Sequence, residues 1–304
     1  MDRQKVLAIV GPTGIGKTSL SVWLATQLDG GIISCDSMQV YKKMDIGTAK
    51  VTQEEMQGIH HELIDVQNYN EPYNVKVFQE KCRTAIEDVV KRGKFPILCG
   101  GTGLYLKAAL YDYEFQEENE DIAYTTFLNS KTNEELVAML KEKDEKALEK
   151  IHPNNRKRLI RALQICHSGT SKSEQEDKQQ HIPLYDVYFL GLDVNREILH
   201  DRINKRVDIM FENGLVKEVE DLFTNPETWE YTSFQGIGYK EFKDYFLKEK
   251  SIDEVKTAIK THSRQYAKRQ YTWFKNQMPV HWFEAQNRDE IYSAVKEWLM
   301  DEDK

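Results

Sequence analysis

Residues 11–18 read Gly-Pro-Thr-Gly-Ile-Gly-Lys-Thr, a complete GxxxxGK[ST] octet. It follows the continuous apolar run Val6–Val10 and leads into a helical stretch from Thr18 to Leu28, the strand–loop–helix setting in which such an octet wraps a phosphate. The loop amides turn inward and the positive end of the helix dipole adds to them, so backbone alone can hold a diphosphate. Gly11, Pro12, Thr13, Gly14, Ile15 and Gly16 would form that cradle. Lys17 would bridge phosphate oxygens, and Thr18 would ligate Mg²⁺. The octet does not name the ligand, nor does it require a nucleotide.

The next runs keep the alternation of strand and helix. Gly31–Ser34 is a second apolar run and Glu62–Val66 a weaker third. Val75, Phe78, Cys82, Ile86 and Val89 recur at spacings of three or four, one face of an amphipathic helix that Gly93 ends. Pro96–Cys99 gives another short strand before Gly100-Gly101, and Val187–Leu192 rejoins the sheet. This order predicts an α/β fold: a P-loop NTPase-like parallel sheet flanked by helices, with right-handed crossovers.

The character changes in between. Asp112–Asp121 carries acidic residues and no basic one, the composition of an exposed linker. Thr132 with Glu135 makes a capping box ahead of a helix through Leu136, Met139, Leu140 and Leu148. His152–Cys166 reads as a second helix and Ser168–Gln180 as a polar loop. Residues 115–185 are therefore expected to be an inserted all-helical domain, with 1–114 and 186–304 forming the catalytic core and its C-terminal helices. Past 193, Ile198, Ile203, Val207 and Met210 line one helical face, and Gly214 supplies a stop. Ser251 with Glu254 caps a last long helix.

Charge gives a mixed message. The chain holds 42 Lys+Arg against 50 Asp+Glu, a net charge of −8, which at face value argues against a nucleic-acid binder. Yet residues 156–161 and 256–275 contain ten basic side chains and no acidic one, so the acidic chain is locally basic in two places. The four cysteines lie far apart and form no CxxC pair, which excludes a zinc ribbon and a disulfide scaffold. There is no secretory leader pattern and no apolar run near the roughly 18 residues that span a bilayer, so a cytoplasmic protein is expected.

Two further loops sit where ligands of such sheets bind, at the carboxyl ends of the strands. Asp36-Ser37-Met38-Gln39-Val40-Tyr41 follows the second run. Asp36 there can be a Mg²⁺ ligand, a general base, or simply a turn or N-cap aspartate. Gly100-Gly101-Thr102-Gly103-Leu104-Tyr105 follows the fourth: its glycines allow close backbone approach, and Thr102 offers a hydroxyl to a substrate. His60 and His61 have no third ligand at metal spacing and read as structural.

Taken in order, GPTGIGKT, DSMQVYKKMDIGTAK, His60-His61 with Leu63-Ile64-Asp65, GGTGLY, PNNRKRLIRAL, RINKRVDIMFENGL, QGIGYKE and SRQYAKRQYTWF run nearly end to end. In that set the chain resembles the bacterial-type tRNA dimethylallyltransferases, also called tRNA isopentenyltransferases. The resemblance implies transfer of a dimethylallyl group from dimethylallyl diphosphate to the exocyclic N6 amine of the adenosine 3′-adjacent to the anticodon, with Mg²⁺ as cofactor. Asp36, Thr102 and Arg206 would be catalytic, and Arg202 would join the octet on the diphosphate. The anticodon stem-loop would meet Asp36, Ser37, Met38, Gln39 and Thr102. It would also meet Lys157, Arg158, Leu159, Ile160 and Arg161 on the insertion, and Gly238, Tyr239 and Lys240. The last helix would add Lys268, Arg269, Gln270 and Trp273, beside a stripe of Lys256, Lys260 and Arg264. A monomer with no membrane partner is expected.

Some positions depart from the family pattern: Lys157 replaces a usual Gln, Gly236 a common Ala or Cys, and Val51 a Pro. Glu117–Tyr124 lacks the basic residue expected after GGTGLY. The rivals are an isopentenyltransferase acting on free AMP or ATP, a P-loop small-metabolite kinase, and a non-catalytic RNA-binding or nucleotide-switch protein.

Overall fold

β1 (Lys5–Val10) is the hub of the sheet, and every residue after Lys5 is buried. A computed structural model describes residues 3–115, 121–169, 171–174 and 181–301. Six parallel strands run in the order β3-β2-β4-β1-β5-β6: β2 (Gly30–Ser34), β3 (His61–Glu62), β4 (Phe95–Gly100), β5 (Asp186–Asp193) and β6 (Val280–Glu284). β1 pairs with β4 through Leu7–Ile97 and Ala8–Leu98, and with β5 through Leu7–Tyr188. Side chains alternate across a strand, so β1 feeds two cores at once. Val6, Ala8 and Val10 join one, with Ile33, Phe78 and Phe274; Leu7 and Ile9 join the other, with Leu24, Ile203 and Ile291. Burying each such aliphatic or aromatic side chain contributes roughly 2 kcal/mol.

The helices of this unit are α1 (Lys17–Leu28), α2 (Gln53–Met56), α3 (Val75–Lys91) and α4 (Gly103–Leu110). Asn74 caps α3 by accepting from the Val77 amide, and the helix buries Phe78, Cys82, Ile86 and Val89 on its sheet-facing stripe. α4 ends at Tyr111, which bridges to Pro183, so the chain leaves and re-enters the sheet unit at one point. The structure divides there into Met1–Tyr111 with Pro183–Lys304, and Asp112–Ile182.

The second unit packs α5 (Ile122–Asn129), α6 (Asn133–Asp144) and α7 (Arg156–His167) around Leu128, Leu136, Leu140, Leu159 and Leu163. Thr132 and Glu135 form the reciprocal capping box of α6. Asp112 N–H donates to the Ile182 carbonyl at 3.0 Å and its carboxylate accepts from the Ile182 amide, closing the unit's ends. Of the acidic run, 116–120 lies outside the described residues; of the polar loop, so do 170 and 175–180.

Past β5 come α8 (Arg196–Glu212), α9 (Leu215–Leu222), α10 (Lys243–Phe246), α11 (Ile252–Gln277) and α12 (Arg288–Met300). The structure corrects the sequence reading in five places, the first being that α6 ends at Asp144 and Leu148 falls in a separate 3-10 turn, Glu145–Glu149. β3 stops after two residues because Leu63 and Asp65 adopt left-handed backbone, with φ of 63° and 56°. α7 begins at Arg156 rather than His152, since the Asn155 side chain accepts from the Arg158 amide and caps it there. Ile198 is 47% exposed, and Leu199 takes the inward place with Ile203 and Val207. Finally, the capping box at Ser251 opens α11, but α11 is not last: β6 and α12 follow.

Candidate active site

The loops after β1, β2 and β4 meet because those strands are neighbours in the sheet. In the first, Gly11, Gly14 and Gly16 all have positive φ (141°, 79° and 106°), backbone that other L residues adopt at a cost. Gly16 starts α1, and no side chain caps that helix, which leaves its N-terminal end to a ligand. Lys17 Nζ donates to the carbonyls of Gly11 (2.9 Å) and Pro12 (2.8 Å) and so folds back over the loop. Burial lowers the Lys17 ammonium to about 8, against the pull of Cys99 and Asp36, with Arg206 adding to the lowering. The Thr18 hydroxyl lies in the first turn of α1, on an exposed residue.

α8 lies against this loop: Ile203 packs beside Gly14, leaving little room for a Cβ there. Arg202 Nη1 reaches the Ile15 carbonyl at 3.4 Å, and Arg206 Nη1 donates to Thr13 Oγ1 at 3.2 Å. Arg206 Nη2 also meets the carbonyls of Thr48 and Ala49 at 3.4 and 3.5 Å. Burial lowers the Arg206 guanidinium, and Asp36 followed by Glu55 opposes this. Both arginines therefore border the phosphate loop.

After β2, Asp36 Oδ1 accepts from the amides of Met38 (2.8 Å) and Gln39 (3.3 Å). That is the turn-forming aspartate the sequence allowed, but it uses only one oxygen. Oδ2 accepts no hydrogen bond among the described residues. Asp36 is half-buried, and its charge acts on Lys17, Arg206, Tyr105 and Tyr266, so it stands at the centre of the three loops. Gln39 Nε2 donates to the carbonyls of Thr48 (3.4 Å) and Ala49 (3.2 Å), and Ser37 is half-buried beside it. Met38 packs on Gly236, with its flexible Cε end over the glycine, and nothing in the structure explains the departure at Gly236.

After β4, Thr102 begins α4 and is half-buried. Gly103 is required by close approach, since a Cβ would enter the Trp273 indole. The helix α11 supplies what motif reading missed: Tyr266 lies within reach of the Thr102 and Gln270 side chains. Burial, then the Asp36 charge, pushes its phenol up to about 12. Tyr266, Gln270 and Trp273 follow one another at helical spacing, a signal present in SRQYAKRQYTWF but hidden among its cations.

Several residues expected to meet RNA are placed otherwise. Leu159 is fully buried in the second unit and Ile160 packs against that core. Tyr239 is fully buried and donates to Glu218 Oε1 at 2.7 Å; burial holds its phenol well above the ordinary value. Gly238 is buried, with its amide on Glu241 Oε2 at 2.8 Å. The Gln270 amide is bonded at both ends to protein backbone. Lys256 and Lys260 both pair with Asp208 at 2.7 Å, and Arg264 donates to Asn204 Oδ1, so the stripe faces α8. Leu159 and Ile160 turn to the core of the helical unit, and the others face protein partners because α11 and the segment 236–242 are packed rather than free.

Exposed side chains remain at Lys240, Lys268 and Arg269 in the sheet unit, and at Lys157, Arg158 and Arg161 in the helical unit. Arg156, also basic, is built into the helical unit through Asn133 Oδ1 (3.2 Å) and the Asn129 carbonyl (2.8 Å). Of the span lacking a basic residue, Glu117–Glu120 lies outside the described residues, and Asp121 caps α5 through the Tyr124 amide. His60 pairs with Glu62 at 3.0 Å and His61 Nδ1 meets the Ile59 carbonyl at 2.9 Å. Among the described residues no three His, Cys, Asp or Glu side chains could together hold a metal, and no helix is long and apolar enough to cross a membrane.

The comparisons with known proteins agree with one another. The family model for IPP transferase matches residues 39–277. The chain is 48% identical over 301 residues to a tRNA dimethylallyltransferase of Bacillus anthracis, covering 97% of this chain and 96% of that protein. Among solved structures it is similar to the full-length tRNA isopentenylpyrophosphate transferase of Bacillus halodurans (TM-score 0.75, 40% identity, 98% of this chain and 97% of that one). It is also similar to a eukaryotic dimethylallyltransferase acting on tRNA (TM-score 0.81, 31% identity, 98% of this chain and 78% of that one). A phosphate loop, a central aspartate and two arginines on one parallel sheet, with these relatives, lead to one conclusion: the chain belongs to the IPP transferase family.

Proposed function

We propose that the protein transfers the dimethylallyl group of dimethylallyl diphosphate to N6 of the adenosine 3′-adjacent to the anticodon in tRNA. The observation that carries this is Asp36, with one oxygen held by its turn, the other accepting no hydrogen bond among the described residues, and a charge that acts on both Lys17 and Arg206. The C1–O bond of the allylic substrate breaks and diphosphate leaves with its electron pair. Lys17, Arg206, Arg202 and the loop amides stabilise that charge as it develops. N6 bonds to C1, and its proton passes to Asp36, because an amine conjugated with the ring is a weak nucleophile. Thr102, with Tyr266 beside it, borders the amine side of the reacting centre.

The donor set suits Mg²⁺ in the manner of phosphate loops: one hydroxyl, Thr18, with the remaining ligands from diphosphate and water. Mg²⁺ there would add charge neutralisation to the leaving group. On the RNA side, Lys157, Arg158 and Arg161 of the helical unit, with Lys240, Lys268 and Arg269 of the sheet unit, would contact the anticodon stem-loop. Trp273, Met38 and Ser37 would border the extruded base. The protein would work as a monomer in the cytoplasm.

Labelled dimethylallyl diphosphate, offered with unmodified tRNA or with AMP, tests the reading. Label in tRNA supports it. Label in AMP would place the protein with enzymes of free nucleotides, and phosphoryl transfer from ATP without prenyl transfer would overturn both.

A further inference from the structure

Gln270 stands where two of the three loops are joined. The residue is 6% exposed, on the buried face of α11. Thr13 N–H donates to Gln270 Oε1 at 2.9 Å, and Gln270 Nε2 donates to the Gly101 carbonyl at 2.9 Å. A primary amide supplies the donor and the acceptor for these two bonds on one rigid plane. The fit is close on the other side as well, since a Cβ at Gly101 would collide with Nε2. Thr13 belongs to the diphosphate cradle and receives Arg206 on its hydroxyl; Thr102 follows Gly101 directly. One amide therefore spans the loop that would hold the leaving group and the loop that borders the nucleophile.

We propose that Gln270 is a positioning residue for prenyl transfer, setting the spacing between the diphosphate cradle and Thr102, and not a contact to tRNA. This rests on the functional reading above. Displacing reacting groups by about 1 Å can lower a rate on the order of a hundredfold. A loosened site has a second consequence: water competes for the allylic carbon. The C1–O bond still breaks and diphosphate leaves, but a water oxygen bonds to C1 and its proton goes to solvent, giving dimethylallyl alcohol.

Gln270→Leu removes both hydrogen bonds. Gln270→Glu, nearly isosteric, keeps the acceptor for Thr13 N–H and loses the donor to Gly101, and it carries the test if the Leu variant does not fold. In both, kcat is expected to fall about tenfold or more, while tRNA Kd stays within about twofold of the unaltered protein. Diphosphate released should exceed prenyl groups transferred, where the unaltered protein keeps them equal. Deuterium uptake in peptides covering 11–18 and 100–104 should rise, and that measurement needs no substrate. Weakened tRNA binding at unchanged kcat would overturn the proposal, as would unchanged kcat, product ratio and uptake together. If the unaltered protein moved no prenyl group to tRNA, the functional reading would fall, and unchanged uptake would separately remove the brace.

Discussion

The Tyr239 hydroxyl donates to Glu218 Oε1 at 2.7 Å, and the same carboxylate accepts from three consecutive backbone amides: Asp45 (2.8 Å), Ile46 (2.7 Å) and Gly47 (3.0 Å). Gly47 must stay without a side chain, because a Cβ would enter the Tyr239 ring. Just beyond those amides, the Thr48 and Ala49 carbonyls receive Arg206 and Gln39. Glu218 thus governs where Arg206 points without meeting substrate. Glu218→Ala leaves four donors without their acceptor and should cost about 3 kcal/mol, read from the midpoint of urea unfolding. At temperatures where the variant stays folded, kcat should fall as Arg206 loses its rest.

Lys17 sets a pH limit on activity. Its folded value of about 8 lies below the ordinary 10.5. Between these values the folded chain binds fewer protons at Lys17 than the unfolded chain, so this residue's contribution to stability rises with pH across that window. Catalysis runs the other way, because neutral Lys17 no longer attracts diphosphate. kcat/KM for dimethylallyl diphosphate should fall as pH passes about 8, whereas Lys17→Arg, which stays charged, should show no such inflection.

Asp36→Asn separates chemistry from turn geometry. The Asn oxygen still accepts the Met38 and Gln39 amides, so the loop keeps its shape. Single-turnover rates should drop by roughly a hundredfold to ten-thousandfold, with tRNA affinity nearly intact. Equal loss of affinity would make Asp36 a recognition residue instead.

The cations of α11 should divide sharply under alanine substitution. Lys256 and Lys260 hold Asp208 between them, and the pairs are partly exposed, so each loss should cost at most about 1 kcal/mol of stability and little RNA affinity. Lys268→Ala and Arg269→Ala should weaken tRNA binding several-fold. Each should lower the slope of log affinity against log salt by about one, measured by filter binding across a salt series.

Sequence and structure agree best where periodicity or backbone chemistry is strong. Val6–Val10, the glycines of the octet, and the capping boxes at Thr132 and Ser251 needed no partner to be read. β6 escaped notice because Val280–Glu284 is an edge strand with no fully buried residue, so it shows neither an apolar run nor a clear alternation and resembles loop in isolation. α12 did carry a legible signal, Ile291 and Val295 four apart and both buried. Orientation was the harder matter. Spacing shows that Lys256, Lys260 and Arg264 share a face, but only tertiary packing reveals that the face meets Asp208 and Asn204. Motifs likewise name Leu159 and Tyr239 without saying that both point inward.

The Gln270 bonds have a temporal side. Oε1 receives the amide of a residue 257 positions earlier in the chain. At a synthesis rate of about 5–20 residues per second, roughly ten to fifty seconds separate the two on the ribosome. β4, which pairs with both β1 and β2, is made early in that interval, so these three strands can come together well before Gln270 is added. The Gln270 side chain that joins Thr13 to Gly101 waits for nearly the whole chain, so a nascent or truncated polypeptide carries the phosphate octet without its brace.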